Sequence, residues 1–175
     1  SFDSENLTIG SSSRRRELQF KSHFKNIICK NIRGNIDSRI SKVKRGEYDG
    51  TILALAGIQT LKLDHEVKKI FSEDKIIPCA GQGVIAVQCR KNDFDNLKIL
   101  KKINDEDTKI CAITERSLLK TIGGDCHTAL GAYAKIDKNN IIIIAQLFSD
   151  DGLKSFSIKK IGDKKLPEKL GISSG

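Results

Sequence analysis

The first 55 residues alternate strand-sized apolar runs with helical runs, and the early strands empty into turns rich in serine, arginine and glycine. Leu7–Gly10 reads as a strand, followed by Ser11-Ser12-Ser13 and a helical run over residues 14–24. Residues 26–32 read as a second strand, Arg33-Gly34-Asn35 as its turn, and residues 38–44 as a helix that Gly46 ends in a left-handed cap. A third apolar run, residues 48–55, is continuous rather than alternating, as expected for a strand covered on both faces. Strand–helix–strand–helix–strand order demands right-handed crossovers and a parallel sheet. The chain up to about Lys75 is therefore predicted to be a doubly wound α/β domain.

The pattern then changes. Pro78 precedes Gly81-Gln82-Gly83, where two glycines around one glutamine imply a tight bend, either a hinge or a close approach to a ligand. Residues 84–89 alternate as a strand does, residues 94–103 read as a short helix, and residues 108–121 as a longer one broken by Gly123-Gly124. Alternating strands over residues 132–136, 140–148 and 155–161 follow, joined by short polar turns, and a helix begins near Leu170-Gly171. This second part is predicted to be α+β with an antiparallel sheet.

Composition narrows the function classes. The chain has 175 residues, with Lys plus Arg at 31 against Asp plus Glu at 22, a formal charge of +9. That balance suits an anionic partner without naming it. Much of the excess is paired lysine (Lys68-Lys69, Lys101-Lys102, Lys159-Lys160, Lys164-Lys165), which reads first as a solvated surface. Seven Phe, two Tyr and no Trp leave few stacking platforms for nucleic acid. No apolar run approaches the roughly 18 residues of a membrane helix. Five cysteines, an odd number without a CxxC pair or zinc spacing, argue against a disulfide framework and a metal site, and for a reducing compartment. Cys29, Cys89 and Cys111 read as small buried hydrophobes. The chain has no initiator methionine or leader and stops soon after a helix begins, so it reads as an internal piece of something longer.

Two places carry possible chemistry. In open α/β sheets, ligands bind at the carboxyl ends of strands, beside helix N-termini. Here those places hold Ser11-Ser12-Ser13-Arg14-Arg15-Arg16 and Arg33-Gly34-Asn35-Ile36-Asp37-Ser38-Arg39, although lysine is the commoner base elsewhere. Serine hydroxyls, free helix N–H groups and planar guanidinium forks suit a carboxylate or a phosphate; a capped, solvent-exposed basic turn is the plainer reading. The second place is Cys126, in Gly123-Gly124-Asp125-Cys126-His127-Thr128. A thiol in a glycine-rich turn can approach a ligand, or it can be an ordinary partly exposed cysteine.

The ordered set of motifs resembles a known family. Gly10-Ser-Ser-Ser-Arg-Arg-Arg16, Arg33-Gly-Asn-Ile-Asp-Ser-Arg39, Gly46-Glu-Tyr-Asp49 and Ala54-Leu-Ala-Gly57 occur in sequence. Pro78-Cys-Ala-Gly-Gln-Gly83, Cys89-Arg90, Glu115-Arg116, Gly123-Gly-Asp-Cys126 and Gly131-Ala-Tyr-Ala134 follow. Together they resemble the hydroxymethylbilane synthase, or porphobilinogen deaminase, family over nearly the whole chain. The resemblance implies a cytoplasmic, monomeric transferase of tetrapyrrole (heme) biosynthesis, with no nucleic-acid or membrane partner. Such an enzyme condenses four porphobilinogen molecules head to tail, releases ammonia and yields hydroxymethylbilane. It implies a dipyrromethane cofactor held by a thioether to Cys126. It further implies that Ser13, Arg15, Arg16, Arg33, Gly34, Arg39 and Gln82 hold the carboxylates of cofactor and growing chain, and that no metal takes part. In domain terms it implies a periplasmic-binding-protein-like α/β domain over residues 1–75, the family's second. Residues 76–107 would be a hinge and a segment returning to a missing first domain, and residues 108–175 a truncated third, cofactor-anchoring domain. The family's catalytic aspartate belongs to that missing domain, so this piece alone is expected to be inactive. Asp125, Ala129 and Thr60 depart from the family pattern, Thr60 replacing a basic residue.

Two other classes fit the residues less fully: a non-catalytic α/β anion-binding module and a basic nucleic-acid-binding protein.

Overall fold

Strand β1 (Leu7–Gly10) lies at the centre of a three-stranded parallel sheet, between β2 (Ile27–Lys30) and β3 (Gly50–Thr51). Helix α1 (Arg14–His23) connects the first pair and α2 (Ile36–Lys44) leads to the third strand. The helix starts follow from side-chain capping. Ser13 accepts the Arg16 N–H and Asn35 accepts the Ser38 N–H, so α2 begins two residues before the sequence pattern suggests. Gly46 has φ +75°, as its predicted cap role requires. Ile9, Phe20, Phe24 and Ile27 form the core of this sheet and helix, with Leu7, Ile52, Phe71 and Ile76 packed against it. Phe20 stacks at a tilt on Phe24 (4.6 Å between centroids) and meets Phe71 edge-on at 5.5 Å.

The computed structural model describes residues 6–125 and 128–175. They form two units. The first holds the described residues up to Ile77, with Thr128, Ala129 and Leu147–Phe156; the second holds Pro78–Asp125, Leu130–Gln146 and Ser157–Gly175. In the first unit Leu18, Ala129 and Phe148 make a small second cluster.

Two expected strands come out differently. The apolar run over residues 48–55 is not one strand. Only Gly50–Thr51 is strand: before it Tyr48 and Asp49 reach Asn31 and Thr8 with their side chains, the Asp49 N–H also donating to Thr8 O, and after it Ala54 already starts helix α3 (Leu55–Thr60). Residues 84–89 form no strand: none of the described strands pairs with them, and Ile85 is 91% exposed. An alternating pattern makes a strand only where a partner supplies the ladder.

The first helices of the second unit are α4 (Phe94–Ile103), capped by Asp93, and α5 (Glu106–Ile122), capped by Asp105. Gly123 closes α5 in the left-handed region, as the Gly-Gly break predicts. Strands β4 (Leu130–Asp137), β5 (Asn140–Phe148) and β6 (Ser155–Asp163) form the antiparallel sheet, in that order. Alternation along β5 buries Ile141, Ile143 and Ala145, with Ala132, Ala134 and Leu118 also buried in this unit. Helix α6 (Pro167–Ser174) lies against α5, and a Cβ on Gly171 would come 2.6 Å from Ser117 Cβ. No helix among the described residues is long and apolar enough to cross a membrane.

Candidate functional site

Parallel pairing brings the carboxyl ends of all three strands of the first unit to one sheet edge. Gly10 lies opposite Lys30 and Thr51 in register. Beyond them, the Ser11 N–H donates to Lys30 O at 3.0 Å and the Ile52 N–H donates to Gly10 O at 3.3 Å. Helices α1, α2 and α3 therefore all start at this edge, and α3 starts at Ala54 without a side-chain cap. Unpaired N–H groups of a first helical turn attract an anion.

The predicted residues occupy this edge in different ways. Ser13 is the N-cap of α1, half-buried, and its backbone N–H donates to Ser11 Oγ. Arg16 is half-buried and reaches across the edge, its Nη1 donating to Ile52 O in the turn after β3 at 3.3 Å. Arg15 points elsewhere: it is buried, and its Nη1 donates to the backbone carbonyl of Ile77. Arg33 is exposed, and its carbonyl accepts Lys42 Nζ at 3.1 Å. Arg39 is half-buried and its Nε donates to Gly34 O at 2.8 Å, so basic side chains of α2 wind the turn after β2 back onto their own helix. Gly34 has φ +116°, and a Cβ there would lie 2.8 Å from Ser38 Cβ; only glycine makes this turn. Glu17, the acid nearest Arg15 and Arg16 in sequence, is engaged by Arg14 at 3.1 Å and Lys21 at 2.7 Å. Burial opposes its ionisation, but Lys21 and Arg14 outweigh that and hold its carboxyl below the usual range.

Topology thus places Ser13, Arg16, Arg33, Gly34 and Arg39 at one edge, whereas the Arg15 side chain is buried against the Ile77 carbonyl. Gln82 belongs to the second unit, where it is exposed and its Oε1 accepts Cys79 Sγ at 3.2 Å. Cys126 lies outside the described residues. Thr60, at the position where a basic residue was expected, bonds its own helix at Ala56 O, 2.8 Å away. Among the described residues no group of three or more His, Cys, Asp or Glu could hold a metal ion.

Several supporting residues stand in the sequence only as parts of motifs, without a legible role. Asp49 Oδ2 accepts the Thr8 N–H at 2.7 Å while its own N–H donates to Thr8 O at 2.9 Å, and Tyr48 Oη donates to Asn31 O at 2.9 Å. The Gly-Glu-Tyr-Asp motif therefore stitches β3 to its neighbours. In the second unit Glu115 is buried on α5 and takes the Gly81 N–H on one oxygen and the Ala134 N–H on the other, each at 2.7 Å. It pins the Gly81-Gln82-Gly83 bend to β4, as does the Ala132 N–H on Pro78 O at 2.8 Å. Burial pushes the Glu115 carboxyl up, against the pull of those two N–H donors. A charged residue three positions before Leu118, on a helix face that is otherwise core, was the available signal.

The cysteines need one correction. Cys29, Cys89 and Cys111 are half-buried rather than buried. Cys89 lies in the segment that pairs with no strand, and Cys29 and Cys111 lie on a strand and a helix each covered on one side. Burial, with Glu115 and Asp107 nearby, still pushes the Cys111 thiol up to about 11.

Fold and site define a class of protein: a doubly wound α/β unit presenting serine, arginine and three helix N-termini at one sheet edge, continued by an α+β unit. Comparison with known proteins narrows the class. Residues 3–98 match the family model described as porphobilinogen deaminase, dipyromethane cofactor binding domain, and residues 109–175 match the one described as porphobilinogen deaminase, C-terminal domain. The chain belongs to the porphobilinogen deaminase family. It is similar to a porphobilinogen deaminase of Caldicellulosiruptor saccharolyticus, 43% identical over 159 residues, covering 91% of this chain and 54% of that protein. It is also similar to one of Francisella tularensis, 36% identical over 163 residues, covering 93% and 54%. The chain spans about half the length of the curated relatives it matches.

Proposed function

We propose that the protein containing this chain condenses four porphobilinogen molecules head to tail into hydroxymethylbilane, with release of ammonia, on a dipyrromethane group joined by a thioether to Cys126. The observation that carries the reading is the gathering of Arg16, Arg33, Arg39 and three helix N-termini at one sheet edge, in a segment that matches a cofactor-binding family model.

The donor set fits such a group. Each pyrrole ring carries an acetate and a propionate, and guanidinium forks with helix N–H groups are suitable fixed partners for carboxylates. Glu17 is held by Arg14 and Lys21, so it does not compete for the edge. When bound, the dipyrromethane supplies the pyrrole end from which the chain is built. The protein's residues bind and orient. Arg16, Arg33 and Arg39 neutralise carboxylates, the Ser13 hydroxyl donates a hydrogen bond to one, Gly34 lets the backbone come close, and Arg15 braces the first turn of α1 through the Ile77 carbonyl. Gln82 acts from the bend that Glu115 pins. Ala129 packs on Leu18 of α1, and only two residues of chain separate it from Cys126. In domain terms, residues 1–75 are the carboxylate-binding domain, 76–107 a hinge and returning segment, and 108–175 the anchoring domain. We place the protein in the cytoplasm, as a monomer without nucleic-acid partners.

The test uses the intact protein. Mass spectrometry and colour with an acidic aldehyde reagent are expected to reveal a dipyrrole adduct on the wild type and none on Cys126→Ser, which also stops consuming porphobilinogen. Failure of the intact wild type to consume porphobilinogen, with Cys126 present, rejects the reading.

A further inference from the structure

Gln19 is fully buried, at 0% exposure, on the face of α1 that carries Arg15 one turn earlier. Its carboxamide closes a two-way bond with one residue: the Ile77 N–H donates to Gln19 Oε1 at 2.6 Å, and Gln19 Nε2 donates to Ile77 O at 2.9 Å. Arg15 Nη1 donates to that same carbonyl. Ile77 is the residue at which the chain leaves the first unit, and Pro78 begins the second.

The chemistry of this arrangement is specific. A carboxamide alone among uncharged side chains of this length offers one acceptor and two donors side by side, so it satisfies both backbone groups of Ile77 at once. An apolar residue of the same volume would fill the space and leave the Ile77 N–H orphaned. The Ile77 carbonyl is also the resting point of a buried guanidinium, so whatever fixes that carbonyl fixes Arg15. Because Arg15 follows Ser13 and precedes Arg16 in the first turn of α1, the same contact steadies the turn that meets the ligand.

We propose that Gln19 is a positioning residue for carboxylate binding: it holds the Ile77 carbonyl so that Arg15, and with it the first turn of α1, stays in register with the sheet edge. This rests on the proposed function above. The expected cost of losing it is about tenfold in affinity, the size of one well-placed charge-assisted hydrogen bond.

The experiment compares the intact wild type with Gln19→Glu and Gln19→Leu, at a temperature well below the melting midpoint of each. Glutamate keeps the shape and the acceptor for the Ile77 N–H. It has no donor for the carbonyl and pulls the guanidinium toward itself. It is expected to fold, to carry less cofactor by intact mass, and to show KM for porphobilinogen raised about tenfold with kcat of the loaded fraction within about twofold. A purely structural glutamine would lower the melting midpoint and leave KM of the loaded fraction unchanged. Wild-type KM and full loading in the folded Glu variant overturn the proposal, whatever Gln19→Leu does. If the wild type itself neither carries a dipyrrole nor consumes porphobilinogen, the functional reading has failed and this one falls with it.

Discussion

At the scale of single residues, the arginines of the sheet edge divide by burial. Arg15 is 6% exposed and engages a backbone carbonyl, whereas Arg33 stands in water. Truncating a buried charge-assisted donor removes its bond and leaves a cavity, so Arg15→Ala is expected to destabilise the first unit by about 1.5–3 kcal/mol. Arg33→Ala breaks no contact made by its side chain in a buried place, and its stability should change by no more than about 0.5 kcal/mol. Under the proposed function both substitutions weaken porphobilinogen binding, and urea unfolding monitored by circular dichroism separates them. Equal destabilisation by the two would contradict the assigned difference. A residue's name in a motif did not tell these roles apart; only burial does.

At the scale of elements, helix α5 is tied to β4 and to the Gly81 bend by one carboxylate. Burial raises the Glu115 carboxyl above its ordinary 4.5, against the Gly81 and Ala134 N–H groups. A carboxyl raised in the folded state contributes stability that is fully present below the unfolded value and is lost as pH rises through the folded one. As pH rises from the ordinary carboxylate value of 4.5 through the raised folded one, the wild type is therefore expected to lose stability relative to Glu115→Gln, which has no charge to bury. Denaturant midpoints of both proteins across that range give the difference. A difference that is flat, or that grows in favour of the wild type with pH, contradicts the assigned burial cost. The glutamine variant should be less stable overall, because one of its two polar atoms is a donor facing a donor.

For the whole molecule, the second unit leaves apolar side chains uncovered. Ile85, Val87, Phe94, Ile99 and Ile103 are all exposed, on a segment without strand partners and on the helix that follows it. Apolar area of that kind associates in water. The 175-residue chain by itself is expected to self-associate at micromolar concentration, and Ile85→Lys with Val87→Lys to reduce this, as sedimentation velocity would show. A chain that stays monomeric without those changes would mean that the surface is covered in solution. Much of the architecture was legible from the sequence, because periodicity and capping are local. The β1–α1–β2–α2–β3 order, the parallel first sheet, the helix over residues 94–103, β5 and the Gly46 and Gly123 chain reversals all follow from neighbours within a few residues. The serine and arginine turns could be placed at strand ends for the same reason. What the tertiary structure alone decided is where non-local partners exist. The run over residues 48–55 became two paired residues and a helix because Thr8 and Asn31 claimed Asp49 and Tyr48, and residues 84–89 found no ladder to join. Arg15 and Gln19 met Ile77, 58 residues beyond Gln19, through hydrogen bonds that no local pattern encodes. Local propensity is written residue by residue, whereas burial and long-range hydrogen bonds come into being only when distant segments are brought to one place.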